Sequence, residues 1–319
     1  MIKAGIIGGT GYTGGELIRL LLNHPNAELA FVTSYSNVGK KVTDLHQDLI
    51  GEIDLEFIDN STDADVLFLA LPHKESKIWL ENNNVGNAVV IDLGNDFRIG
   101  ETYQGNSFVY GLPELNSAQL KGAKFIANPG CFATAIQLGI IPIFQNEEVS
   151  EIYTTGITGA TGAGKSLSET THFSWRQNNI SAYKTLTHQH LGEINFQLKE
   201  LSKVPFSVQF VPWRGDFARG IFVSSTFKTS LSLEELFELY ENFYEGQIFT
   251  TVSRKEINLK QVVNTNKCLI NIEKNGDFAV VHSAIDNLLK GASGQAIHNM
   301  NISFGFPENA GLKLKSIAF

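Results

Sequence analysis

One of the two cysteines in this chain, Cys131, follows an Asn-Pro-Gly corner in KFIANPGCFATAIQLGIIPIF, residues 124–144. The apolar run before the corner reads as a strand and the run after it as a helix, which puts the thiol at the helix's first turn. Peptide dipoles at that end stabilise negative charge, so a thiolate becomes available as a nucleophile. Cys268, in the alternating strand KCLINIE, reads instead as a small buried hydrophobe. A working thiolate needs a partner that moves protons. The densest set of histidines is Thr187-His188-Gln189-His190-Leu191-Gly192-Glu193. Two histidines at i, i+2 with a glutamate could also ligate a metal, but no further cysteine or acidic cluster completes such a site, and none is expected. His24, His46, His73 and His172 carry no motif.

A second chemistry lies at the start of the chain. Gly9-Thr10-Gly11-Tyr12-Thr13-Gly14 fits G-x-G-x-x-G, and reading from Gly8 gives G-x-x-G-x-x-G, between an apolar strand and a helix. Such a turn lets backbone N–H groups and a helix N-terminus approach a pyrophosphate, so Gly8, Thr10, Gly11, Tyr12, Thr13 and Gly14 are expected to contact a dinucleotide. After the second strand stands Thr33-Ser34-Tyr35-Ser36-Asn37-Val38-Gly39-Lys40, with no acidic residue to hold ribose hydroxyls. Ser34, Ser36 and Lys40 suit a 2′-phosphate, which favours NADP(H); ordinary loop polarity would explain the two serines equally.

A third stretch, Gly159-Ala160-Thr161-Gly162-Ala163-Gly164-Lys165-Ser166, matches the phosphate-binding pattern G-x-x-x-x-G-K-S. Alone it signals an NTPase. That reading also needs a magnesium-holding aspartate after an apolar strand, and beyond residue 166 the candidate is Asp286, which leads into a helix-like pattern. The other reading is a flexible loop that closes over a phosphate or nicotinamide group.

The elements that must position these residues alternate in the first third of the chain. KAGIIGG, ELAFVTS, DVLFLALP and NAVVIDLG read as strands, and GYTGGELIRLLLNHP as the first crossover helix, a βαβ pattern. From about residue 150 the texture shifts to longer alternating strands, EIYTTGITG, SVQFVPW, GIFVSSTFKT and KCLINIE, which predict a mixed or antiparallel sheet. Ser232-Leu233-Glu234-Glu235 makes a capping box ahead of an amphipathic helix, with Gly246 as its stop. A chain of 319 residues suits two domains. Its net charge of −8 and lack of a basic run argue against nucleic acid or an anionic membrane as partner, leaving a small-molecule substrate. No apolar run approaches the roughly 20 residues that span a bilayer. MIKAGIIGGT lacks the regions of a secretory signal, so a cytoplasmic location is expected.

The motifs GGTGYTGGEL, LALPHKES, IDLGNDFRI, YGLPELN, NPGCFATAIQL, GATGAGKSLSETTHF, HQHLGEI and DNLLKGASGQAIHNMN run nearly end to end. In that order they resemble the N-acetyl-gamma-glutamyl-phosphate reductases of arginine biosynthesis, within the wider group that includes aspartate-semialdehyde dehydrogenase. The resemblance implies an α/β fold: a Rossmann-type dinucleotide-binding domain over 1–130, completed by 286–319, and an α+β catalytic domain with a mixed or antiparallel sheet over 131–285. It implies Cys131 as nucleophile and His190 as acid/base. Gly162 and Gly164 of the GAGKS loop, with Asn287, would border the nicotinamide of NADP(H). Arg98 would anchor the substrate phosphate, and Asn128, Arg219 and Glu193 would lie beside the substrate. The implied reaction is NADPH-dependent reduction of an N-acyl-gamma-glutamyl phosphate to the semialdehyde through a cysteine thioester, in a homodimer or homotetramer. Aspartate-semialdehyde dehydrogenase chemistry is the nearest alternative and a P-loop NTPase the more distant one. Relatives usually read H-R-H-T-P-E-I and P-M-T-R-G-I where this chain has HQHLGEI and VPWRGDFARGI. Gln189 and the longer segment leave the acyl group open between acetyl and succinyl.

Overall fold

The computed structural model describes residues 1–318. They form two compact units: Met1–Gly130 with Ala292–Lys313, and Cys131–Gly291 with the chain from Leu314 onward. The chain returns to the first unit at Ala292 rather than at the expected 286. Asp286 stays behind because its carboxylate accepts from Arg219 and from the Asn264 amide of the second unit.

In the first unit, β1 (Ile2–Ile7) leads through α1 (Tyr12–Leu22) to β2 (Ala27–Val32). The short helix α2 (Val42–Leu45) follows, then β3 (Val66–Leu69), α3 (Glu75–Asn82) and β4 (Val89–Asp92). A two-stranded ribbon of β5 (Thr102–Tyr103) and β6 (Asn106–Ser107) precedes β7 (Val109–Tyr110), α4 (Pro113–Leu120) and β8 (Phe125–Ala127). The main sheet has the order β2-β1-β3-β4-β8-β7, and every pair in it is parallel. Val66, Leu67, Phe68 and Leu69 of β3 are all buried, as a strand covered on both faces requires. The order reverses between β1 and β3, which leaves a crevice at the carboxyl ends of those strands.

The second unit opens with α5 (Cys131–Asn146), buried continuously from Phe132 to Phe144. Pro142 lies inside it and cannot donate to the carbonyl of Leu138. The Tyr244 hydroxyl donates to that carbonyl instead, and Tyr240 donates to Gly139 at 2.7 Å, so the helix continues through the proline. Then come β9 (Glu151–Thr158), α6 (Phe173–Arg176), β10 (Ser181–Ala182), α7 (His190–Lys199), β11 (Ser207–Arg214) and β12 (Ile221–Lys228). Helix α8 (Leu233–Phe243), β13 (Thr250–Val252), β14 (Cys268–Asn275) and β15 (Phe278–Ile285) complete the unit's regular elements, while α9 (Gly294–Phe304) belongs to the first unit.

The strand order is β10-β11-β9-β12-β15-β14-β13, with β9/β11 and β13/β14 parallel and the other pairs antiparallel. Along β9, Ile152, Thr154, Gly156 and Thr158 point into the core while Glu151, Tyr153 and Thr155 face water. Helix α5 lies on the buried face, against β12 and β15. The capping box at Ser232 forms, with Ser232 accepting from the Glu235 amide. The helix stops at Phe243, ahead of Gly246, whose φ of 78° continues the turn.

Candidate active site

Around the glycine turn of the first unit, Gly8 and Gly14 each have a geometric reason to lack a side chain. Gly8 has φ +90°, and a Cβ there would come 2.7 Å from the carbonyl oxygen of Ala70. At Gly14 a Cβ would meet the Cα of Gly9 at 2.7 Å, so the helix start packs backbone on backbone. Gly11, the N-cap of α1, has nothing within 4 Å of its would-be Cβ and no side-chain cap. The first turn of α1 carries no acidic residue, so its N-terminal end is compatible with an anion. The carbonyl of Thr13 accepts from Ser293 at 2.9 Å, which pins α1 to the entry of α9.

Beyond β2, the side chains of Ser34, Ser36 and Lys40 converge on one amide. Asn37 donates to Ser34 Oγ at 3.2 Å and to Ser36 Oγ at 2.9 Å, and accepts from Lys40 Nζ at 3.1 Å. Two hydroxyls and an ammonium held together beside the sheet's carboxyl edge fit a 2′-phosphate, and the open glycine turn fits a pyrophosphate. NADP(H) therefore suits the residues present.

Arg98 and Asn128 face inward. Arg98 is 5% exposed and donates to the carbonyls of Asn128 at 2.9 Å and Leu93 at 3.1 Å. Asn128 donates to Ala292 O at 3.0 Å and accepts from Asn299 at 3.0 Å. Both fix the backbone that enters the Asn-Pro-Gly corner.

In the second unit, Cys131 is the first residue of α5 and is partly exposed. Gly291 packs directly on it: a Cβ there would lie 2.8 Å from the Cβ of Cys131. His190 is the first residue of α7, 7% exposed, with Nε2 at 3.9 Å from the buried carboxylate of Glu193 one turn along. The His190 amide donates to His188 Nδ1 at 3.2 Å, and the two imidazoles meet edge to face with centroids 4.6 Å apart. His188 also packs on Phe132, next to the cysteine, at 5.7 Å and on Tyr183 at 5.7 Å. Burial, then the cations Lys184 and Arg214, push His188 down to about 4, which keeps it neutral and an acceptor at its Nδ1. Tyr183 is pushed up to about 12, first by burial and then by the negative charge of Cys131. Helices α5 and α7 pack on each other, and the His188 ring touches both Phe132, the neighbour of Cys131, and His190.

Two further predicted residues are held by neighbours in the same unit. Arg219 forms a two-point ion pair with Asp286, Nε to Oδ2 at 3.0 Å and Nη2 to Oδ1 at 3.1 Å. Asn287 accepts from the Gly220 amide at 2.7 Å and donates to Thr161 at 3.0 Å, tying β12 to the loop that carries Gly162 and Gly164.

That loop is a 3-10 turn, Ala160–Ala163, followed by Gly164 at φ +78° and then exposed chain. A phosphate-binding loop of the NTPase kind needs a helix starting at its Lys-Ser, whereas the next α-helix here is the four-residue α6. The candidate magnesium ligand, Asp286, is already paired with Arg219. The geometry thus removes the NTPase reading. Among the described residues no group of three or more His, Cys, Asp or Glu side chains gathers as a metal-ligand set.

Tyr183, Arg214 and Gly291 were missed from the sequence. Tyr183 and Arg214 reach the site through strand pairing of β10 with β11, which no local spacing encodes. The departure of VPWRGDFARGI from the usual pattern was the available signal for Arg214.

Residues 3–123 match the semialdehyde dehydrogenase NAD binding domain, and residues 131–287 match the semialdehyde dehydrogenase dimerisation domain. The chain is 51% identical over 324 residues to a protein of Bacteroides fragilis and 52% identical over 324 residues to one of Bacteroides thetaiotaomicron, covering 100% of this chain and of each relative. Both are named N-acetyl-gamma-glutamyl-phosphate reductase. Among solved structures, aspartate semialdehyde dehydrogenase II from Vibrio cholerae superposes with a TM-score of 0.74 at 16% identity, over 95% of this chain and 98% of that one. The Candida albicans enzyme with NADP gives 0.71 at 15% identity, over 95% and 98%. At such identities these two likenesses speak for the fold. The end-to-end relatives speak for more: this chain belongs to the N-acetyl-gamma-glutamyl-phosphate reductase family.

Proposed function

We propose that this protein reduces an N-acyl-gamma-glutamyl phosphate to the N-acyl-glutamate 5-semialdehyde and phosphate, a step of arginine biosynthesis, with Cys131 as nucleophile and His190 as acid/base. The observation that carries the reading is a thiol at the first residue of a buried helix, in one unit with a histidine that a buried glutamate accompanies. The N-terminal end of α5 favours a negative sulfur. Attack of the thiolate on the acyl-phosphate carbon forms the C–S bond and breaks the C–O bond to phosphate, which leaves with the electron pair. Backbone amides at the start of α5 would face the oxyanion that develops. NADPH, when bound, supplies the hydride that turns the Cys131 thioester into a hemithioacetal oxyanion. His190 then gives a proton to the departing sulfur as the aldehyde forms, and takes it back for the next attack. Glu193 supports the charged imidazole between those steps. Gly8 to Gly14 would hold the pyrophosphate and Ser34, Ser36 and Lys40 the 2′-phosphate, with Gly162, Gly164 and Asn287 beside the nicotinamide. Arg98 would anchor the substrate phosphate, and Asn128, Arg219 and Glu193 would lie beside the substrate.

The reverse reaction gives the simplest assay: N-acetylglutamate 5-semialdehyde, NADP and phosphate, read at the nicotinamide absorbance. Cys131→Ser is expected to lose phosphate-dependent turnover while NADP binding is kept. Retained turnover overturns the mechanism, and activity on free aspartate semialdehyde alone overturns the substrate.

The exposed face of the seven-stranded sheet supports a homodimer, or a homotetramer built from it. Tyr153 is 55% exposed there, beside a hollow of about 480 Å³ lined by Thr155, Leu186, Gln209, Val211 and Thr226. Light scattering of the wild type and of Tyr153→Glu tests this; a wild-type monomer sinks it. No helix among the described residues is long and apolar enough to cross a membrane. The biosynthetic role and two thiols support the cytoplasm as its location.

A further inference from the structure

Three guanidinium groups stand in the strand-rich unit near the carboxyl ends of β9 and β11, and two of them have settled partners. Arg219 is bound to Asp286, and Arg176, 6% exposed, donates to the carbonyls of Arg214 and Thr170 at 2.8 Å and 3.2 Å. Arg214 differs. It hydrogen-bonds the Tyr183 side chain, but its Nε, screened from solvent, has no hydrogen-bond partner among the described residues, and the side chain as a whole is only half-buried. Its guanidinium carbon stacks 4.6 Å from the Tyr183 ring centroid, and Tyr183 touches His188, which in turn touches His190. The other charges nearby do not answer it. Lys184 is a further cation, bonded to Gln189 at 2.7 Å, and Asp216 accepts from the Asn178 amide at 2.6 Å. A buried N–H without an acceptor is costly, so this one is available to an acceptor that arrives with a ligand.

We infer that Arg214, stacked on Tyr183 beside the His188–His190 pair, receives a carboxylate of the substrate and thereby selects it. A planar fork with one face covered by an aromatic ring presents its edge, which matches the two oxygens of a carboxylate. The inference rests on the reaction proposed above. In that substrate the carboxylate has two sources: the α-carboxylate of the glutamyl group, or a second carboxylate at the end of the N-acyl group. Both retain their charge while the reacting carbon changes. Arg214 and Gln189 belong to the segments VPWRGDFARGI and HQHLGEI.

The test compares wild type, Arg214→Gln and Arg214→Lys in the reverse direction, with N-acetyl and N-succinyl glutamate semialdehydes and with phosphate varied separately. Arg214→Gln is expected to raise the semialdehyde KM at least tenfold, with kcat and the phosphate KM within about threefold of wild type. Arg214→Lys, which keeps charge without the fork, is expected to lie between and serves alone if the glutamine variant does not fold. An equal loss for both acyl groups supports the inference with the α-carboxylate as source; a loss confined to the succinyl substrate supports it with the acyl carboxylate. Unchanged semialdehyde KM values, or a rise in the phosphate KM alone, overturn it. Wild type inactive on both semialdehydes would instead overturn the reaction proposed above.

Discussion

Gly291 lies against Cys131 so closely that a single added methyl would fall 2.8 Å from the Cβ of Cys131 and 3.1 Å from its Cα. The Gly291 amide is held by the carbonyl of Asp286 at 2.9 Å, so the backbone there is not free to withdraw.

Gly291→Ala therefore has to displace the cysteine or the turn before α9. Overpacking costs about 1–3 kcal/mol, and a misplacement on the order of 1 Å at a reacting group costs about 100-fold in rate. The variant is expected to lose about 10- to 100-fold in kcat with NADP affinity unchanged, measured by steady-state kinetics and cofactor titration. Wild-type turnover would show that the sulfur's position is not critical.

Asp286 is fully buried and collects five donors: Arg219 Nε at 3.0 Å, Arg219 Nη2 at 3.1 Å, and the amides of Asn264 at 2.7 Å, Leu288 at 2.8 Å and Leu289 at 3.1 Å. Removing the carboxylate leaves those donors without their acceptor. Asp286→Ala is expected to destabilise the fold by about 3–5 kcal/mol in urea unfolding, and Arg219→Met by less, because its side chain keeps 22% exposure and loses one ionic partner rather than five acceptor contacts. Equal effects from the two variants would count against a hub at Asp286.

Asp92 is expected to make folding weaken as pH rises. Its carboxyl is wholly buried at the end of β4, with Oδ1 accepting from Ser76 at 2.6 Å and Gly94 at 2.9 Å and Oδ2 without a partner among the described residues. Burial pushes it up to about 6 from 3.8, against those hydrogen bonds and nearby Arg98. The folded state therefore holds the proton more tightly than the unfolded one. Between pH 4 and 6 the group's contribution declines as pH rises, by at most about 3 kcal/mol. Subtracting the pH dependence of Asp92→Asn from that of wild type should expose this slope. A difference that rises with pH over that window would refute the assignment.

His188 acts in the opposite sense. Pushed down to about 4 by burial and by Lys184 and Arg214, it binds protons less readily when folded than unfolded. Its contribution is complete above pH 6.5 and declines as pH falls from there toward 4, by at most about 3 kcal/mol. His188→Phe, which keeps ring contacts with Phe132 and Phe210, should flatten the acid limb of the stability curve, read by thermal unfolding across pH 4–7. An unaltered acid limb would mean that this ring is not buried as neutral imidazole.

Much of this protein is local and was therefore legible in its residues. The glycine turn needs only a strand, a tight corner and a helix start within a dozen residues, and the Cys131 position needs only a proline–glycine corner before a helix. The helix through Pro142 followed the apolar pattern, yet what permits it is remote: Tyr244 and Tyr240 serve carbonyls about a hundred residues earlier. The phosphate-loop spelling at 159–166 misled in the other direction. A motif's chemistry depends on the element that follows it, and here the 3-10 turn Ala160–Ala163 lies within the motif and exposed chain follows where a helix would have to start.

What the sequence alone determined were a thiol at a helix start, a glycine turn between strand and helix, and the change of element pattern along the chain, because each is written in short-range patterns of backbone preference and apolar spacing. Only the tertiary structure decided that Asp286 belongs to Arg219, that Asn128 turns inward, that Gly291 abuts the thiol and that Arg214 stacks on Tyr183 with a donor unsatisfied. Those relations join positions far apart along the chain. Strand order, helix packing and the satisfaction of buried polar groups fix them together, and no local window of residues contains that information.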